Sequence, residues 1–275
     1  MKHILEYPMK ERSNFRVICI GDVVGRPGRA ALKDRLKSIR EATNADLVVV
    51  NGENAAGGAG IDAGTAREIR DAGADIVTLG DHAFQRKGSA EFIEQNSSWC
   101  VRPLNFPENT SPGKGWCSWK APDGTKVLVV NLMGRVFMGG ALDCPFQVMN
   151  KWFRMIESEG DAITVCDMHA EATSEKWAMA RHVDGRLSLV VGTHTHVQTS
   201  DAQVLPGGTG FITDLGMTGS NTGVIGMDAQ VALQRFMGPK PAPYEIAEGD
   251  GFIRGVVADI DRVSRKAVGI YLLNC

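Results

Sequence analysis

The sequence has no Cys-x-x-Cys pair and no regular cysteine framework: six cysteines, Cys19, Cys100, Cys117, Cys144, Cys166 and Cys275, are scattered along 275 residues. That argues against a zinc-thiolate site and for free thiols in a reducing compartment, with Cys19 and Cys166 inside apolar runs that read as strands. No segment approaches the roughly 18 to 20 continuous apolar residues of a bilayer span, so no membrane association is expected. The opening stretch MKHILEYPMKERSNF carries charge on both sides of a very short apolar segment. It is too brief for the core of an export signal, and a cytoplasmic location is expected. Charge of one sign is missing too: a formal net charge of −2 gives no broad basic field. That argues against tight nonspecific binding of long nucleic acid and leaves a small phosphorylated substrate open.

With 43% hydrophobic and 23% charged residues the chain is ordinary globular protein, long enough to bury a sizeable core. It contains no internal repeat and no low-complexity linker, so residues 1–275 are expected to form one domain. The first third repeats a β-branched run, a turn with glycine and polar residues, and a stretch of helical spacing. Phe15 to Ile20 leads to Gly21-Asp22 and then to Leu32, Leu36 and Ile39 on one helical face. Leu47 to Val50 leads to Gly52-Glu53-Asn54, and Thr65 to Asp71 reads as a short helix. Ile76 to Leu79 leads to Gly80-Asp81-His82.

Around Asp123-Gly124 the runs Trp116 to Lys120 and Lys126 to Asn131 predict a hairpin. A helix marked by Val148, Trp152, Met155 and Ile156 follows, then a strand from Ala162 to Asp167 and a helix from Ser174 to Arg181. Leu187 to Val191 precedes Gly192-Thr193-His194-Thr195-His196, and Gly251 to Ile260 and Lys266 to Leu273 read as strands. Alternation early and hairpins later predict an α/β fold with mixed sheets flanked by helices. Residues 216–247, rich in Gly, Met and Pro, are expected to form a loop or cap.

Polar residues recur at equivalent places in this pattern, at the carboxyl ends of strands, where open α/β sheets place their ligands. Asp22 is either the cap of the next helix or a ligand. Asn54 is either a turn residue in left-handed conformation or a ligand. Glu53 follows an apolar run and needs a cation or hydrogen-bond donors if buried. His194 and His196, two apart, would point to one side of an extended segment and form a ligand pair. His169 sits beside Glu171, which would orient its ring. His3 and His182 read as structural. Oxygen and imidazole donors without thiolate suit Mn, Fe or Zn, and a set this large is enough for two metal ions. The run Gly57-Gly58-Ala59-Gly60 lacks both the Gly-Lys-Ser/Thr ending of a Walker A loop and the Gly-x-Gly-x-x-Gly spacing, and reads as a turn beside the site. Arg26, Arg29 and Arg135 are candidate phosphate contacts.

Gly21-Asp22-Val23-Val24-Gly25, Gly52-Glu53-Asn54, Gly80-Asp81-His82, Asp167-Met168-His169-Ala170-Glu171 and Gly192 to His196 together resemble the metallophosphoesterases. More narrowly, the chain resembles the YmdB-like branch of bacterial phosphodiesterases. The similarity runs from about Val17 to the C-terminus and includes Asn131-Leu132-Met133-Gly134-Arg135 and Ile212-Thr213-Asp214-Leu215-Gly216-Met217-Thr218-Gly219. The resemblance implies a four-layer αββα sandwich, a homo-oligomer, and hydrolysis of 2′,3′-cyclic nucleotides or related small phosphodiesters with two divalent or trivalent metals, Fe or Mn, with Zn also compatible. It implies Asp22, Glu53, Asn54 and His196 around one metal, and Glu53, Asp81, His169 and His194 around the other. Glu53 would bridge, and His82 would donate a proton.

Two positions depart from the family pattern. Val24 stands where most metallophosphoesterases have histidine, with Asn54 implied in its stead, and Asp81 stands where they have asparagine. A carboxylate there binds a cation more strongly than an amide and lowers its Lewis acidity. The competing expectation is a metal- or nucleotide-binding regulatory protein of weak catalysis on the same scaffold.

Overall fold

The computed structural model describes residues 7–11, 13–107, 111–238 and 243–275; His3 and the first six residues of the segment read for an export signal lie outside them. In chain order the elements are β1 (Asn14–Ile20), α1 (Gly25–Thr43), β2 (Leu47–Asn51), α2 (Ala63–Asp71), β3 (Ile76–Thr78), α3 (Ser89–Gln95), β4 (Cys100–Val101), β5 (Trp116–Lys120), β6 (Lys126–Met133), α4 (Pro145–Met155), β7 (Ile163–His169) and α5 (Thr173–Val183). β8 (Leu189–Thr193), β9 (Gln203–Val204), β10 (Gly210–Ile212), β11 (Gly219–Ser220), α6 (Ala229–Met237), β12 (Gly251–Phe252), β13 (Arg254–Asp261) and β14 (Ala267–Asn274) complete the described chain.

Two six-stranded mixed sheets carry the fold, ordered β14-β13-β1-β2-β3-β4 and β5-β6-β7-β8-β10-β9. β1 to β4 run parallel, as do β6, β7, β8 and β10, while β13, β14, β5 and β9 join antiparallel at the margins. The parallel strands are nearly continuous apolar runs because both faces are covered. Alternate residues of β1 show the division: Phe15, Val17 and Cys19 join Val127, Val129, Val165 and Val191 of the other sheet in one buried cluster. Ile18 and Ile20 instead meet Leu32 and Leu36 of α1 and Ile69 of α2. On the second sheet Leu128 and Val130 face Met149 and Trp152 of α4 and Met179 of α5.

Local chemistry sets the element ends. Asp62 and Thr65 form a reciprocal capping box at the start of α2, Pro145 opens α4, and Asn44, at φ 52°, closes α1 in left-handed conformation. The predicted hairpin is present, with Gly124 at φ 90° in its turn. Three expectations are changed or refined. The run Gly251 to Ile260 is divided, its first two residues pairing with β11 in a separate two-stranded sheet. Residues 216–247, read as a loop or cap, contain β11 and α6, and residues 239–242 lie outside the described residues. α3 and β4 lie between the predicted third strand and the hairpin, where no element was expected.

Arg16 on β1 is almost fully buried and forks onto Asp259, its partner residue on β13, with both N–O distances 2.7 Å. Its remaining donors reach the carbonyls of Thr43 and Pro8, tying the end of α1 to the sheet. Asp259→Ala leaves that guanidinium buried without its counter-ion, and the unfolding free energy should fall by about 3–5 kcal/mol in denaturant titration. A loss under about 1 kcal/mol would contradict this role.

Candidate metal centre

All the parallel strands deliver their carboxyl ends to one edge where the two sheets meet. Asp22 follows β1, Glu53 and Asn54 follow β2, Asp81 and His82 follow β3, His169 ends β7, and His194 and His196 follow β8. Eight residues spread over 175 positions are thereby brought to one edge. Gly80 makes the close approach feasible: a Cβ there would lie 2.1 Å from Glu53 Oε2 and 2.4 Å from His169 Nε2.

The residues form two adjoining groups. His169 Nε2 lies 3.0 Å from Asp81 Oδ1, 3.0 Å from His194 Nδ1 and 3.2 Å from Glu53 Oε1. One donor atom from each of these four residues falls within 4.8 Å of the others. Beside them, Asn54 Nδ2 lies 2.9 Å from Glu53 Oε1 and 3.2 Å from His196 Nε2, and Asp22 Oδ1 lies 3.9 Å from that same His196 nitrogen. Glu53 therefore touches both groups. His82 donates its backbone N–H to Glu53 Oε2, and its Nδ1 stands 3.4 Å from Asp81 Oδ2.

The hydrogen-bond network turns one nitrogen of each clustered histidine toward the carboxylates. Thr193 Oγ1 donates to Asp167 at 2.7 Å, so the Thr193 oxygen accepts from His169 Nδ1 at 2.9 Å and leaves Nε2 facing the cluster. The Ile225 carbonyl holds His196 Nδ1 at 2.8 Å, again leaving Nε2 inward. Glu171 Oε2 lies 3.2 Å from His194 Nε2, leaving Nδ1 inward. Acceptors on the far nitrogen are how proteins fix imidazoles as metal ligands.

Beneath the cluster, buried Asp167 laces the sheets together, accepting from Asn51 and Thr78 of the first and Thr193 of the second. Burial pushes its carboxyl up to about 6 despite these bonds. Asp214, after β10, accepts from Thr195 N and Oγ1, from Gly216 N, and from buried Lys176 at 2.6 Å. It anchors the bend that carries His194 (φ 99°) and His196 (φ 64°) in conformations that cost non-glycine residues on the order of 1–3 kcal/mol each.

These positions settle several expectations. Val24, not Asp22, caps α1, and Asn54 is absent from the left-handed residues. His194 and His196 do not lie in an extended segment; their rings reach different groups because the chain bends between them. Glu171 pairs with His194 rather than His169, whose ring is held by Thr193. His182 meets Asn150 and the Phe146 ring, a structural setting. Arg29 is held by Glu68 at 2.6 Å and the Ala55 carbonyl. The cavity of about 300 Å³ over the cluster is lined by none of Arg26, Arg29 and Arg135. A larger one of about 620 Å³, between α1 and α2, is lined by Arg26 and Arg29 but by none of the clustered carboxylates and histidines. Asp167, Thr193, Lys176 and the Ile225 carbonyl were not anticipated as supports; the only sequence signals were the Asp167 and Thr193 positions within motifs already noted.

A cation suits this donor set. Asp22 Oδ1 is buried and has no hydrogen-bond partner, three carboxylates crowd three imidazoles, and oxygen and nitrogen donors without thiolate suit Mn, Fe or Zn. Without a cation, protons balance the charge. Burial would push His169 down, yet Glu53 and Asp81 drive it well above the usual histidine range. Burial would push Asp81 up, yet hydrogen bonds from His169 and His194 pull it far below the usual carboxylate range.

Residues 18–273 match the family described as YmdB-like protein. The chain is 43% identical over 256 residues to a Bacillus subtilis protein named 2′,3′-cyclic-nucleotide 2′-phosphodiesterase, covering 93% of this chain and 95% of that protein. Among solved structures it resembles a hypothetical protein from Thermus thermophilus, with a TM-score of 0.87 and 40% identity over 95% of this chain and 99% of the other. It also resembles a protein described as a novel phosphatase from Mycoplasma pneumoniae, with a TM-score of 0.87 and 29% identity, covering 97% and 94% of the two chains.

Thr193→Val removes the hydroxyl that orients His169, and metal affinity should fall about 10- to 100-fold in a titration while the fold is retained. Unchanged affinity would contradict the orienting role. Because His169 is held protonated by its carboxylate neighbours, a metal must displace that proton. Affinity should therefore rise with pH, and calorimetry in buffers of different ionisation enthalpy should show about one proton released per cation near neutral pH; no release would contradict it.

Proposed function

We propose a function for this chain, which belongs to the YmdB-like family: a binuclear metal-dependent phosphodiesterase acting on 2′,3′-cyclic nucleotides or related small phosphodiesters. The observation that carries it is the set of three histidines, each tied at its outer nitrogen to an acceptor and turned at its inner nitrogen toward carboxylates. Asp22, Glu53, Asn54 and His196 would hold one cation, and Glu53, Asp81, His169 and His194 the other, with Glu53 shared. The contacts of Glu53 Oε1 with both Asn54 and His169 support that sharing. Metal ions bound there would supply Lewis-acid charge to the phosphoryl oxygens and lower the pKa of the attacking water.

The remaining chemistry belongs to side chains. His82 lines the cavity at the edge of the cluster, its side chain 30% exposed, where a leaving oxygen can reach it. We assign it the proton transfer to the departing ribose oxygen. Asp81 Oδ2 lies 3.4 Å from His82 Nδ1, a buried nitrogen without a hydrogen-bond partner, while Asp81 Oδ1 faces the metal group. By analogy with the Bacillus subtilis relative, the bond broken is that to the 2′ oxygen.

The wider reading is one domain over residues 1–275, with residues 216–247 as a cap beside the site. The three buried clusters, one between the sheets and one on each outer side, support a four-layer αββα arrangement. Exposed Leu233, Phe236 and Met237 on α6 support a homo-oligomer, and six free cysteines accord with a cytoplasmic setting.

His82→Ala should lower kcat on 2′,3′-cyclic AMP by roughly 10²- to 10⁴-fold while the metal content stays as in wild type. Unchanged turnover would remove His82 as the acid. Nucleotide bound by the wild type with no product formed would instead favour the regulatory role.

A further inference from the structure

The cavity over the cluster has two chemically different sides. Its lining joins the ionisable Glu53, His82, Glu171, His194 and His196, here termed the floor, to the uncharged Ile225, Met227 and Tyr244, the wall. We propose that this wall seats the nucleobase of the substrate, with Tyr244 as the stacking platform, an assignment of ligand class that rests on the phosphodiesterase reading. A cyclic nucleotide carries an anionic phosphate at one end and a flat, apolar-faced base at the other. The two sides of the cavity match those two ends, and at about 300 Å³ it brings them within reach of a single small ligand.

The wall is built into the fold. Met227 pairs with Ile246 in an antiparallel bridge, Ala247 N donates to the Gly226 carbonyl at 2.9 Å, and Asp228 N donates to the Glu245 carbonyl at 2.9 Å. Tyr244 is thus one residue from a backbone tie to the segment carrying Ile225 and Met227. Its ring lies over Gly58, where a Cβ would come within 2.4 Å of Tyr244 Cε1 and where φ is 81°. A side chain at position 58 would displace the ring from the mouth. The Ile225 carbonyl that holds His196 at 2.8 Å fixes the wall to the floor, so phosphate and base positions are set together.

Tyr244 is 40% exposed and Ile225 50% exposed, so the wall offers unpaired ring and aliphatic surface at the cavity mouth. None of its three side chains carries charge. The wall therefore meets a base chiefly through its face, with the Tyr244 hydroxyl as its polar group.

Equilibrium binding to Mn-loaded protein tests this with adenosine 3′-monophosphate and the base-free analogue glycerol 2-phosphate as probes. The nucleotide should bind about tenfold tighter, a preference lost in Tyr244→Ala and kept in Tyr244→Phe. Equal affinity for the two probes in wild type, or an undiminished preference in Tyr244→Ala, overturns the assignment. Hydrolysis of 2′,3′-cyclic AMP is the separate check on the reading beneath it. A wild type that hydrolyses nothing yet keeps a Tyr244-dependent preference overturns the phosphodiesterase reading and supports the wall.

Discussion

Three carboxylates, Asp22, Glu53 and Asp81, converge on three imidazoles at an edge where two sheets meet, and this crowding of like charge governs the architecture around it. Two of the three acids are almost completely buried. At the 3.0–3.9 Å between carboxylate oxygens and imidazole nitrogens, and an effective dielectric near 20, attraction of a carboxylate toward a unit positive charge is worth about 4 kcal/mol. Such a cluster persists only with positive charge in its centre, supplied by a proton on His169 or by cations. The raised His169 and depressed Asp81 are the two sides of that balance.

The surrounding structure holds the crowded groups against their repulsion. Asp167 binds side chains from both sheets at the strand ends, so the ligands of one sheet cannot drift from those of the other. Asp214 and Lys176 pin the His194-Thr195-His196 bend from below. The segment containing Asp214 also reaches the first loop: Thr218 N donates to the Asp22 carbonyl and Val24 N to the Thr218 carbonyl, both at 2.8 Å. The motif Ile212 to Gly219 thus acts as a strap joining the loop after β1 to the loop after β8. That is why Gly21 and Gly216 meet so closely that a Cβ on Gly21 would lie 1.8 Å from the Gly216 carbonyl oxygen.

Much of this was legible in the chain because parallel strands write their positions twice, once as a buried β-branched run and once as the polar turn that follows. Leu47 to Val50 and then Glu53, or Ile76 to Leu79 and then Asp81, carry both signals. What escaped was short or tertiary. β4, β9 and β11 have two residues each, too few for periodicity, and α6 is hidden in a glycine- and methionine-rich stretch. The partner of Glu171 depended on a bend between His194 and His196 held by tertiary contacts, the anchor at Asp214 among them. The approach of Tyr244 to Gly58 joins residues far apart in sequence through a segment whose path has no periodic signature.

Metal content per chain most directly tests whether this edge is a two-cation centre, measured by elemental mass spectrometry on protein reconstituted with Mn and freed of excess ion. A value near two per chain, lowered by Glu53→Gln, is the predicted result. One or none per wild-type chain would contradict the shared-carboxylate centre on which the account rests.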